Sequence, residues 1–272
     1  MDQTRISRLG QVKVYTGKCF RAFSNDKGWK AFISSIIILI IISWVAGRDM
    51  FHTLYETRSG AFALVCACIW IGIFNSVQSI CRERAIIKRE HRTGLHISSY
   101  ITAHMLYEMV LCLVQALISV VILFVMRDPP IHGIITSSLI EFFITFFLVI
   151  FAADMLGILI SSVVKNETQA MTVMPFVLIL QLVMSGVIFA LDDVASLISN
   201  ITISKWGVNA IGSIANLNAM PDTLVISNFN RDDFASVPGN LYRTWVILAL
   251  FALSYIVIST VILKIFIDKD KR

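Results

Sequence analysis

The sequence predicts an all-α integral membrane protein: six transmembrane helices, an amphipathic helix before the first, a charged helix after the second and a long loop before the sixth. Three observations carry this. Hydrophobic residues make up 57% of the 272 and charged residues 15%, with a mean hydropathy of +0.77, whereas a soluble domain averages roughly 45–50% apolar and about 25% charged. Six apolar runs approach or exceed the length of about 20 residues that a ~30 Å hydrocarbon core requires. The cations segregate between the connections, seventeen on one side and five on the other, with Arg243 at a boundary.

The leader, residues 1–30, holds Arg5, Arg8, Lys13, Lys18, Arg21, Lys27 and Lys30. Its Ile6, Leu9, Val12, Cys19, Phe20 and Phe23 can share one helical face, which suits a helix lying among lipid headgroups. No short apolar core with a small-residue cleavage site stands there, so no cleavable signal sequence is expected. The six-helix unit follows over 31–267, with spans expected at 31–46, 60–80, 100–126, 134–164, 170–191 and 245–267. Trp29 and Trp44 flank the short first span as interfacial anchors. Pro175 removes a backbone hydrogen bond in the fifth and predicts a kink. The cation-rich side is cytoplasmic by the positive-inside rule, which places both termini, including the tail 268–272, inside the plasma membrane. The net charge of +5 then reflects topology and attraction to anionic lipid, with no nucleic-acid partner.

Between the second and third spans lies Arg82-Glu83-Arg84-Ala85-Ile86-Ile87-Lys88-Arg89-Glu90-His91-Arg92. Charge this dense cannot lie in hydrocarbon. Mixed signs at helical spacing, with Ile86 and Ile87 as an apolar patch, suit a helix over about 82–93 that docks on another protein; a merely solvated loop is the simpler alternative. The outer segment 192–241 is about fifty residues and acidic, with Leu191, Ile198, Trp206 and Val208 as apolar anchors. Short re-entrant helices are expected there.

Three acids fall within spans, where each needs a partner. Glu108 and Asp154 come to similar depth, and His104 is one turn from Glu108, so the three read either as a polar relay or as packing hydrogen bonds. Glu141 lies nearer the outer end, within reach of water. An intramembrane aspartyl protease would need two facing aspartates and a Gly-rich turn, neither of which is here. The five cysteines imply no disulfide framework, and the five histidines lack ligand spacing, so no metal is expected.

The run Glu83-Arg84-Ala85, Arg89-Glu90, Arg92-Thr93-Gly94, Ser98-Ser99-Tyr100, Ala103 and Glu108 resembles the coupling-helix signature of ABC-2 type permeases, nearest the ABCG (white/brown) branch. Leu156–Ser161 with Asn166–Ala170, Pro175 and Met184-Ser185-Gly186 resembles that family's junction between helices four and five and its outer Ser-Gly step. Ser204–Ala210 resembles its outer-loop element, and Gln11, Arg21 and Asp26 its connecting helix. The resemblance implies the ABC type-V, ABCG-like exporter fold. It assigns Glu83, Arg84, Ile86, Ile87, Arg89 and Glu90 to coupling with an ATPase, and Ile71, Phe74, Asn75, Ile179, Gln181 and Leu182 to a substrate cavity between paired units. Val187 and Ile188 would then be a hydrophobic outer plug; packing against lipid or other spans is the bland alternative for all of these apolar positions.

No G-x-x-x-x-G-K-[ST] phosphate loop is present in these residues, and ABCG proteins usually carry one on the same chain. The ATP-binding cassette subunit, with ATP and Mg, is therefore expected on a separate chain, or on the remainder of a longer one; this chain is expected to bind no cofactor and to catalyse nothing by itself. A second permease copy or a sister permease, and membrane lipids, complete the expected partners. The cargo implied is amphipathic: a lipid, drug or peptide. The alternative is an ATP-independent secondary transporter or channel coupled through Glu108 and Asp154.

Overall fold

The computed structural model describes residues 7–47, 49–189, 193–221 and 231–269. Ten α-helices run in order among them: α1 (Arg8–Asn25), α2 (Lys30–Val45), α3 (Leu54–Ser76), α4 (Ser79–Arg92), α5 (Ile97–Met126), α6 (Ser138–Val163), α7 (Glu167–Val183), α8 (Asp193–Ser199), α9 (Ile203–Ile214) and α10 (Pro238–Lys269). The described residues hold no β-ladder beyond an isolated bridge between His132 and Ser137. One end of the bundle gathers α1, α4 and the start of α5, and is called the basic end here; α8 and α9 lie at the opposite end.

Among the described residues, four segments are long and apolar enough to cross a bilayer: α3 with its continuation α4, α5, α6 and α10. The other two expected spans are shorter helices. α2 has 16 residues and meets the same test only jointly with α1, from which it is bent by 71°. α7 has 17 residues and stays one helix through Pro175.

α6 is the core of the bundle, packed on α3, α5, α9 and α10. Small residues let α3 approach it. A Cβ on Gly72 would lie 2.3 Å from the Ile150 carbonyl oxygen, and one on Gly157 would lie 2.4 Å from Ser76 Oγ. Without a hydrophobic drive between helices in lipid, such backbone proximity and interhelical hydrogen bonds hold them together; Ser76 Oγ donates to the Asp154 carbonyl at 2.6 Å.

Local chemistry sets the helix ends. Asn166 Oδ1 accepts from Gln169 N at 2.9 Å, while Gln169 Oε1 accepts from Lys165 N at 3.0 Å. This reciprocal cap starts α7. Glu141 departs from expectation. Its carboxylate is fully buried and accepts from the backbone N–H groups of Ile134, Ile135 and Thr136 at 2.6–2.9 Å. Residues 134–137 therefore form a turn folded over the start of α6, and the expected span shortens to begin at Ser138. Three backbone donors of that turn satisfy the buried carboxyl oxygens.

At the opposite end, α9 is buried along nearly its whole length. Gln181 of α7 caps it from a distance: Oε1 accepts from Ile203 N at 2.9 Å and Ser204 N at 3.2 Å, and the Gln181 carbonyl accepts from Ser204 Oγ at 2.5 Å. The segment expected to be a re-entrant loop thus contains a helix inside the bundle; residues 192 and 222–230 of it lie outside the described residues. All five cysteines are free.

Candidate functional site

The charged helix α4 begins where Ser161 Oγ, on α6, accepts from the backbone N–H groups of Ile80 and Cys81, both at 3.0 Å. It ends at Gly94, whose φ of +112° is a left-handed conformation that favours glycine. Its charges are unequally committed. Glu83 pairs with Lys18 of α1 at 3.1 Å, accepts from Tyr100 Oη at 2.8 Å, and lies 3.9 Å from His104 Nε2. Glu90 accepts from Tyr15 Oη at 2.6 Å. Arg84 donates to the Ser162 carbonyl at 2.5 Å and lies 5.5 Å over the Phe266 ring of α10. His91 contacts the Leu95 carbonyl at 2.7 Å and Asp268 at 3.5 Å. Ile87 is fully buried.

Four of the six expected docking residues, Glu83, Arg84, Ile87 and Glu90, therefore join α4 to α1, α5, α6 and α10. The outward face carries Arg82, Ala85, Ile86, Arg89 and Arg92, at the i, i+3, i+4, i+7 spacing of one helical stripe. Arg82, Arg89 and Arg92 make no ion pair among the described residues.

The leader helix reinforces this junction. Gln11 Nε2 donates to the Gly94 carbonyl at 3.1 Å, and its Oε1 accepts from His96 N at 3.0 Å. Tyr15 meets Tyr100, and Phe20 and Phe23 meet Tyr107, all edge to face. Burial, then the hydrogen bond to Glu90, raises the pKa of the Tyr15 hydroxyl, so it stays a donor. Burial, then the charge of Glu83, pushes the Cys19 thiol up to about 12. Of the expected apolar face, Leu9 is exposed and Ile6 lies outside the described residues; the face packed on α5 centres on Tyr15, Thr16 and Cys19.

The expected relay separates into two parts. Glu108 and Asp154 are both buried, and Cys112 Sγ donates to Asp154 Oδ2 at 3.2 Å. His104 instead lies against Tyr100, 4.6 Å between ring centroids, and beside Cys19 at 3.8 Å. No hydrogen bond or ion pair joins it to Glu108 among the described residues. One turn of α5 separates them, yet His104 belongs to the α4 junction.

The expected cavity residues also divide. Ile71, Phe74 and Asn75 line a cavity of about 580 Å³ bounded by the α1–α2 bend, α3 and α5. Gln181 and Leu182 line an apolar cavity of about 290 Å³ between α2, α3 and α7. Ile179 points away from the bundle and is 55% exposed. Trp70 borders both cavities and stacks on Phe74. Val187 is half-buried and Ile188 exposed, just after Gly186. The Gly186 carbonyl accepts from Arg58 Nη2 at 2.8 Å, so a basic side chain of α3 holds the turn before them. Sequence reasoning missed Tyr15, Arg58 and Gln115, whose hydrogen-bond partners lie 40 or more residues away, beyond any local pattern; it also passed over Trp70.

A family model for the ABC-2 type transporter matches residues 10–215. The chain belongs to the ABC-2 type transporter family. The match runs from α1 to the end of α9 and includes the whole α4 junction. This ABC-2 permease is also 29% identical over 229 residues to an ABC transporter ATP-binding/permease protein of Mycobacterium tuberculosis. That similarity covers 79% of the chain and 26% of the relative, so the chain spans about a quarter of that protein's length. An ABC-2 membrane domain is a permease.

Proposed function

We propose that this chain is the membrane-spanning part of an ATP-driven exporter of amphipathic molecules. An ATP-binding cassette partner supplies ATP and Mg, and a second permease unit completes the pathway. In this reading the basic end and both termini are cytoplasmic, at the plasma membrane. The short helices α2 and α7 are the fifth and sixth crossings; 17 residues is about the lower limit for a span, and interfacial anchors such as Trp29 and Trp44 extend α2. The exposed Ile179 of α7 faces the second unit.

The outward stripe of α4 carries this reading. Glu83 is paired with Lys18 and Glu90 is held by the Tyr15 hydroxyl within the chain, which leaves Arg82, Arg89 and Arg92 around Ala85 and Ile86 for a partner. Such a face suits an acidic groove with an apolar floor. Closure of the ATP-binding partner would push α4. Because Ser161, Arg84–Ser162 and Glu83–Tyr100 fix α4 to α6 and α5, the push moves these spans as one body. The Glu108–Asp154 pair at the α5–α6 contact then sets how these helices seat on one another.

The test is nucleotide-dependent. Reconstituted with its ATP-binding partner, the permease is expected to change that partner's ATPase rate, and the double variant Ile86→Asp with Arg89→Glu is expected to abolish the change. Cargo movement without nucleotide, lost on Glu108→Gln, would instead establish a secondary transporter and end this reading.

A further inference from the structure

The larger cavity has an architecture that the exporter reading does not explain. It lies at the basic end, inside the bend between α1 and α2. Phe23 and Gly28 line it from the bend, Lys30 and Ser35 from α2, Trp70, Phe74 and Asn75 from α3, and Tyr107 from α5. At about 580 Å³ it falls within the range of about 300–1,000 Å³ typical of small-molecule sites.

The bend itself is built. Lys27 takes a left-handed φ of 54°, and a Cβ on Gly28 would lie 2.2 Å from the Phe23 ring. The ring therefore packs directly on the backbone of the hinge. This turns α1 away from α2 and leaves a wedge of space beside α3.

The polar groups of the wall are matched, with three exceptions. Asn75 Nδ2 donates to Gln115 Oε1 at 2.8 Å, and Gln115 Nε2 donates to Asn75 Oδ1 at 3.1 Å and to Ser35 Oγ at 3.2 Å. Ser34 and Ser35 hydroxyls both donate to the Ala31 carbonyl. The interior thus asks for few hydrogen bonds, and its aromatic and aliphatic walls suit a chain or flat hydrocarbon. The exceptions are Lys30, Tyr107 and Trp70: the ammonium, the hydroxyl and the indole N–H have no hydrogen-bond or ion-pair partner among the described residues. Asp26, the acid of the hinge, forms no ion pair with Lys30. A cation and a hydroxyl donor thus line an otherwise largely apolar space.

We propose that this cavity binds an anionic amphiphile from the leaflet at the basic end. Its single acidic headgroup meets Lys30 and Tyr107, and its tail lies along Ile38, Trp70 and Phe74. The shared chemistry is a carboxylate or phosphate on one hydrocarbon tail, whether resident lipid or cargo. The site stands independently of ATP coupling.

Photolabelling of the full chain in lipid nanodiscs tests it. The probe is a long-chain fatty acid with a diazirine near the tail end, and the control is the matching fatty alcohol. The acid is expected to label peptides containing residues 31–38 and 70–75 about fivefold more than the alcohol, the effect of one interfacial cation. Lys30→Gln should remove that preference and Lys30→Arg should keep it. Unlabelled fatty acid should compete on the unmodified chain, a readout that needs no variant. Loss of label on ATP addition, with the partner present, would mark the occupant as cargo; label that persists would mark it as resident lipid, and the site stands in both cases. Equal labelling by acid and alcohol, labelling confined to other helices, or an undiminished preference in Lys30→Gln would overturn the proposal.

Discussion

The two ends of this bundle hold a helix in place by opposite means. At the basic end, α4 is fixed by charges and aromatic rings that cross between elements: Glu83 to Lys18 and Tyr100, Glu90 to Tyr15, Arg84 to the Ser162 carbonyl. At the opposite end, α9 is fixed by burial, by close packing at Gly207 and Gly212, and by two amides, Gln181 at its start and Asn240 at Ser213. The contrast reflects solvent. Where water and headgroups reach the chain, side-chain charges can be used as fasteners and spare charges can still face a partner. Where the helix is enclosed, each unmatched backbone group is costly, so satisfying it is the main task.

The largest expected effect comes from breaking the enclosed end. Gln181→Leu leaves the N–H groups of Ile203 and Ser204 buried without an acceptor, at about 1–3 kcal/mol each. Hydrogen exchange over 203–213 should accelerate while exchange over 79–92 is unchanged. Equal acceleration at both ends would show that the two are one cooperative unit.

A smaller effect is expected at the basic end. Glu83→Gln removes the ion pair with Lys18 but keeps an acceptor for Tyr100, a loss of about 1–2 kcal/mol for one charged hydrogen bond. Exchange protection should fall in α1 first, because the other fasteners of α4 to α6 survive. Unchanged protection in α1 would show that the pair with Lys18 does not hold it.

Smaller still is the effect of the outward stripe on stability. Arg89→Glu should leave the melting temperature nearly unchanged, within about 0.5 kcal/mol for a surface site, while removing the permease's effect on its partner's ATPase. A large fall in melting temperature would mean that Arg89 is a fastener as well.

The last contrast is in pH. Cys19 binds its proton more tightly folded, at about 12, than its ordinary 9.0, and Tyr15 is shifted upward too. Their stabilising contribution is therefore complete below about pH 9 and is lost progressively as pH rises toward about 12. Alkylation by iodoacetamide should leave Cys19 unmodified at pH 8 and modify it near pH 12. Rapid modification at pH 8 would contradict the packed α1–α5 contact.

Much of this organisation was legible in the chain. The block around Arg82–Arg92 announced a helix, and the structure starts it three residues earlier, at Ser79, because Ser161 supplies acceptors there. The third and sixth apolar runs became α5 and α10 with modest extensions. What was not legible was the direction of each charge. Local spacing makes Glu83 and Arg89 equivalent members of a charged helix; Lys18 and Tyr100, from two other helices, make one internal and leave the other outward. The same limit applies to His104, which sequence spacing places with Glu108 and packing places with Glu83. Glu141 looked like an acid near water because its partners are backbone N–H groups, which no side-chain pattern reveals. Gln181, chosen as a cavity residue for its position, turned out to cap α9.

The most direct test of the central claim, that the outward stripe of α4 is the face a nucleotide-driven partner takes hold of, is site-specific cross-linking in the assembled complex. Cysteines placed one at a time at Ile86→Cys and Arg89→Cys, in a chain otherwise free of reactive thiols, are expected to join the ATP-binding partner through a short bifunctional reagent. Ser254→Cys, on the exposed face of α10, is expected to stay unjoined. Failure at both α4 positions, or their labelling by an impermeant reagent from outside the cell, would contradict the account.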